Sequence, residues 1–86
     1  MAQIKCFGIA DGMRLEEKVA ILRDAHDHLD YVSVDADFLT RSNGDYLLPV
    51  YVLGQNETGD LALIELPQES ERGNNRLWVN KSTLVS

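Results

Sequence analysis

The hydrophobic pattern of this chain changes period along its length. Gln3-Ile4-Lys5-Cys6-Phe7-Gly8-Ile9 opens with polar and apolar residues in alternation and reads as a short strand. Asp11-Gly12 breaks that pattern, and Asp11 is placed to cap a helix. Beyond it, Leu15, Val19, Leu22, His26 and Leu29 recur at spacings of 4, 3, 4 and 3. On a helix these five side chains lie within about 40° of one line. Ile21 and Ala25 flank the stripe, while Glu16, Glu17, Arg23, Asp24 and Asp27 cover the opposite side. Glu16 and Glu17 would occupy the first turn, where the helix dipole favours negative charge. Arg23 and Asp27 would pair at i,i+4. The spacing predicts an amphipathic helix over 13–29.

After Asp30 the pattern becomes that of strands. Tyr31-Val32-Ser33-Val34-Asp35 alternates, and Phe38-Leu39-Thr40 follows. Ser42-Asn43-Gly44-Asp45 carries a hairpin-turn signal, because Gly supplies positive φ without steric cost. Tyr46 to Leu53 is the next run, and Pro49 inside it predicts an edge strand or a bend. The polar loop 54–60 closes a second hairpin, leading to Leu61–Leu66. A long acidic and Gly/Asn-rich loop spans 67–75, and Arg76–Asn80 is the last clear strand. A short turn through Leu84 precedes Val85. The expected fold class is α+β: one N-terminal amphipathic helix packed on a four- to five-stranded antiparallel meander, in a single domain over 1–86.

The last forty or so residues resemble an SH3-like small β-barrel. Leu61–Leu66, the polar loop 67–75 and Arg-Leu-Trp-Val-Asn-Lys-Ser-Thr-Leu-Val at 76–85 look like the ending of such barrels, in which a final strand enters one 3₁₀ turn. The resemblance implies a shape. Asn80 and Leu84 stand where the peptide-binding members carry a proline and a tyrosine, and the paired tryptophans are absent, so no ligand-binding residue carries over.

Composition narrows the classes of function. Eight Lys and Arg oppose fourteen Asp and Glu, a net charge of −6. Such a balance repels phosphate backbones, whose neutralisation supplies most non-specific nucleic-acid affinity. It favours a basic protein partner reached by electrostatic steering. No apolar run approaches the length of a membrane span, and no charged-then-apolar leader opens the sequence. A single Cys6 rules out an internal disulfide framework and a four-cysteine zinc site. Together these point to a reducing, cytoplasmic compartment.

Catalytic signals are weak. Cys6, with Phe7 and Ile9 beside it, reads as a structural thiol. Glu16 and Glu17 point apart on a helix, and no nucleophile elbow, phosphate loop or dinucleotide fingerprint occurs. No cofactor is implied, and no catalytic residue is assigned. Segment 24–37 holds five Asp and two His without one Lys or Arg. His26 and His28 project about 160° apart on a helix, so they share a metal ion only where the helix ends before them. His26, in the apolar stripe, reads as a half-buried, hydrogen-bonded side chain. Asp35-Ala-Asp37 fails as a calcium loop, since its sixth position is Thr40 and its twelfth is Tyr46.

The more useful reading of 24–37 is an acidic patch made by Asp24, Asp27, Asp30, Asp35 and Asp37. Tyr46, Tyr51 and Trp78 supply candidate aromatic anchors, which bury large area at low entropic cost. Trp78 is exposed if Leu77 and Val79 enter the core, and is itself core otherwise. These features lead to a non-enzymatic protein-interaction domain, an adaptor, inhibitor or oligomeric subunit, binding a basic protein partner or a second copy of itself. The alternatives are nucleic-acid binding through Arg72, Arg76 and Lys81 on a small barrel, and a metal site at His26 and His28.

Overall fold

The computed structural model describes residues 1–85, and among them there is no α-helix. Nine strands run in chain order: β1 (Ala2–Lys5), β2 (Gly8–Asp11), β3 (Glu17–Arg23), β4 (Leu29–Asp35), β5 (Thr40–Ser42), β6 (Asp45–Gln55), β7 (Leu61–Glu65), β8 (Arg76–Asn80) and β9 (Leu84–Val85). Single 3₁₀ turns follow β4 at Ala36–Phe38 and β8 at Lys81–Thr83. The larger sheet has the order β8-β7-β6-β1-β9, with β5 also paired to β6, and the smaller one is β2-β3-β4.

The amphipathic helix over 13–29 is therefore corrected, and the α+β class with it. Glu17–Arg23 forms a strand that pairs antiparallel with Leu29–Asp35 over seven residue pairs, from Glu17 opposite Asp35 to Arg23 opposite Leu29. The physical reason lies in the run Val19-Ala20-Ile21-Leu22, which satisfies a period of two as well as 3.6. Val19 and Ile21 are β-branched and lose rotamer freedom in a helix. Asp24, Asp27 and the two histidines between β3 and β4 favour a turn, because short polar side chains compete for the backbone. Once Tyr31–Asp35 is a strand, Glu17–Arg23 is its nearest antiparallel partner. Leu15, the first member of the expected stripe, lies fully in water.

Other expectations fit more closely. Asn43 and Gly44 both take positive φ, 52° and 85°, and join Ser42 to its partner Asp45 in a two-residue hairpin loop. Pro49 lies inside β6, which is an inner strand of its sheet but has a local edge at residues 48–50. On one side β6 pairs with β1 over Leu47–Val50. On the other it pairs with β5 up to Leu47 and with β7 from Tyr51. The Tyr46 carbonyl accepts from Cys6 N, so by alternation the Pro49 nitrogen faces the gap between β5 and β7, where no partner needs a donor.

The core forms where the two sheets face one another. Ile4, Leu48, Val50, Ile64, Leu77 and Val79 come from the larger sheet; Ala20, Leu22, Val32 and Val34 come from β3 and β4. Within β3, β4, β7 and β8 the buried residues fall at every second position, as the pleat requires. No helix among the described residues is long and apolar enough to cross a membrane.

Candidate functional site

The turn joining β3 to β4 is built around Asp24. Its Oδ1 accepts the backbone N–H of His26 (2.8 Å) and of His28 (2.9 Å). Asp24 N donates to the His28 carbonyl at 2.9 Å, and Asp27 adopts a left-handed φ of 65°. Asp24 is thus half-buried within the turn, while Asp27 projects from it. The turn docks on the free edge of β8 through Ala25 N, which donates to the Trp78 carbonyl at 2.8 Å.

That contact sets the acidic turn at the β8 edge of the β6-β7-β8 sheet. On β8, Leu77 and Val79 are buried, so Trp78 projects outward with 39% of its surface exposed. Leu63 stands opposite it on β7, and Gly54 of β6 stands opposite Leu63. The pairing shifts between Val52 and Gly54, leaving Leu53 as the extra residue of a bulge, exposed next to this row. One row along, Tyr51 faces Glu65, whose carboxylate lies 3.6 Å from Arg76 Nε. Exposed Trp78, Leu53 and Tyr51 and half-buried Leu63 share this face, and the turn carrying Asp24 and Asp27 lies at its β8 edge. Leu53 and Leu63 are absent from the sequence-based set. The alternation of Leu61–Leu66 carries a signal for Leu63; a bulge has no such signature.

The remaining carboxylates of 24–37 do not join this group. Asp30 is only 2% exposed and faces inward. Its Oδ2 accepts from Ser70 Oγ (2.7 Å) and Asn74 Nδ2 (2.9 Å), and its Oδ1 from Tyr31 N (2.8 Å). Burial pushes its pKa up, but the bonds from Asn74, Ser70, and the Tyr31 and Arg72 backbone together hold it below the ordinary value. With Glu71 N donating to the Tyr31 carbonyl (2.8 Å), this carboxylate fastens loop 66–75 to β4. Asp30 is a structural anchor and is inaccessible to a partner. Asp35 and Asp37 lie at the far end of β4, about 20 Å from the turn at 3.3 Å per residue. The single acidic patch is accordingly two acidic ends separated by a strand. Tyr46 is half-buried, with the Arg41 guanidinium 5.1 Å from its ring centroid, well away from Trp78 along β6.

His26 is exposed on the turn, contrary to the half-buried expectation. Its ring centroid is 6.4 Å from that of His28, and His28 Nδ1 lies 3.7 Å from Asp24 Oδ2. Among the described residues no three His, Cys, Asp or Glu side chains converge as a metal site. Cys6 is partly buried, and desolvation pushes its thiol up to about 11, so it is protonated at neutral pH. The three bases singled out in the sequence are engaged locally. Arg72 Nη1 donates to the Leu29 carbonyl (3.4 Å), Arg76 pairs with Glu65, and Lys81 Nζ donates to Gln55 Oε1 (3.0 Å). Comparison with known proteins returns no similarity: no family model, no curated protein and no solved structure matches this chain.

Proposed function

We propose that this chain is a non-enzymatic protein-interaction domain that binds through the outer face of the β6-β7-β8 sheet. Trp78 is the anchor, Leu53, Leu63 and Tyr51 extend its apolar contact, and Asp24 and Asp27 attract a basic partner at the rim. The observation that carries the reading is the outward Trp78 between two buried neighbours. A small core would bury its only indole unless the outer face had a use for it, and interface hot spots are rich in tryptophan. The acidic turn adds charge complementarity, which speeds encounter and selects partners more than it deepens affinity.

The small-barrel resemblance is part of the proposal. Support comes from the strand order β8-β7-β6-β1-β9, the long bulged β6 that pairs with β1 and with β7, and the 3₁₀ turn between β8 and β9. Shape alone does not assign a ligand.

The test is mass spectrometry of proteins that co-purify with the full chain at low salt, set beside Trp78→Ala. The expected result is a partner retained by the natural chain, lost with Trp78→Ala and weakened by salt. Trp78 emission should be red-shifted in the free protein and shift to the blue on binding. Recovery of no partner at low salt, together with no self-association in sedimentation, would refute the reading.

A further inference from the structure

At the opposite end of the smaller sheet, the β2–β3 connection presents two apolar side chains wholly to water. Met13 is 98% exposed and Leu15 is 97% exposed. Single exposed apolar residues are ordinary, but two on one short tip are different when that tip is held in place. Gly12 N donates to the Glu17 carbonyl (2.9 Å), Glu17 N to the Arg14 carbonyl (3.1 Å), and Ala36 N to the Glu16 carbonyl (2.8 Å). Glu17 Oε1 accepts from Met13 N at 2.9 Å. A Cβ at position 12 would lie 2.5 Å from the Glu17 side chain, so glycine is what allows this carboxylate to fold over the tip. The backbone is braced, and the cost of ordering it on contact is already met.

The tip carries an acidic collar. That collar, Glu16, Asp35 and Asp37, lies on the Leu15 side, where a shallow cleft of about 330 Å³ is lined by Arg14, Leu15, Glu16, Glu17 and Asp35, while the Met13 side is lined by Asp11, Arg14 and Lys18. Lys18 is bound to Asp11 at 2.7 Å, which leaves Arg14 as the cation at the apex. We infer that Met13 and Leu15 form a second docking element, a braced knob that inserts into an apolar pocket rimmed by Lys and Arg on a protein partner. Charge complementarity selects this occupant. An anionic lipid surface would be repelled by the collar. A second copy of a chain with a net charge of −6 would be repelled as well. This inference does not depend on the Trp78 face.

The test replaces Leu15 by the photo-crosslinking amino acid p-benzoylphenylalanine in the full chain, irradiated in lysate of the cells that make it. The expected result is a protein adduct mapped to an apolar residue flanked by Lys or Arg. Excess natural chain should suppress that adduct, and Trp78→Ala should suppress it equally well. The Met13→Ser/Leu15→Ser double variant should need about a tenfold or greater excess, because two buried apolar contacts are lost. Both side chains lie outside the core, so that variant should keep the circular dichroism of the natural chain. An adduct with a second copy, a map to an acidic or polar surface, or equal competition by the double variant would overturn the inference. The absence of any adduct, or flotation of the natural chain but not the double variant with phosphatidylcholine vesicles, would overturn it too.

Discussion

Asp30 illustrates how one buried carboxylate organises its surroundings. Donors from Ser70, Asn74 and the Tyr31 and Arg72 backbone serve its two oxygens, so the charge is compensated without a cation. Because its folded pKa lies below the ordinary value, folding favours the ionised form. Its contribution to stability is complete above the unfolded carboxylate pKa, near 3.9, and is lost as pH falls through the lower folded value. Urea denaturation as a function of pH should therefore show stability declining below about pH 4, with a shallower decline in Asp30→Asn. At neutral pH the same substitution should cost about 2 kcal/mol, since an amide turns one accepting oxygen into a donor facing other donors. A cost below about 0.5 kcal/mol would contradict the anchoring role. The sequence alone groups Asp30 with the surface acids, because burial depends on strand parity and on a loop forty residues away.

At the scale of elements, the contest between helix and strand over 13–29 makes a clear prediction. A helix would bury Leu15 and Leu22 on one stripe. In the β3–β4 hairpin, Leu22 is buried and Leu15 is in water. Leu22→Ala should then cost about 3 kcal/mol in chemical denaturation, and Leu15→Ser should stay within about 0.5 kcal/mol. Equal, large losses would restore the helix. The Asn43-Gly44 hairpin offers a second check. Gly44 has a φ of 85°, and a Cβ added there would meet no other atom within 4 Å. Gly44→Ala should therefore cost about 1 kcal/mol through backbone strain alone. That hairpin is legible because the Asn-Gly signal is local. The bulge at Leu53 is not, since it answers to the register of β6 against both β1 and β7.

The whole molecule is two sheets closed over one core, with the β3–β4 hairpin fastened at both its turn and its edge. The Ala25–Trp78 bond ties the turn to β8, and the Asp30 network ties β4 to loop 66–75. Far-UV circular dichroism should accordingly be that of a β protein, and the double minimum of a helix should be absent. Hydrogen exchange should be slow across β3-β4 and β6-β7. The two exposed surfaces lie at opposite ends of β4, so variants at Trp78 and at Met13/Leu15 should act additively on stability. For the strands from Tyr31 onward, the alternation of side chains and the turn residues carry most of the order by themselves. Segment 13–29 is ambiguous because Val19–Leu22 is a continuous apolar run that either period accommodates. The choice falls to a neighbouring strand, whose backbone groups and inner face need a partner. Likewise, the position of Trp78 between two apolar neighbours is written in the chain, but only the packing of Leu77 and Val79 against the opposite sheet turns the indole towards water.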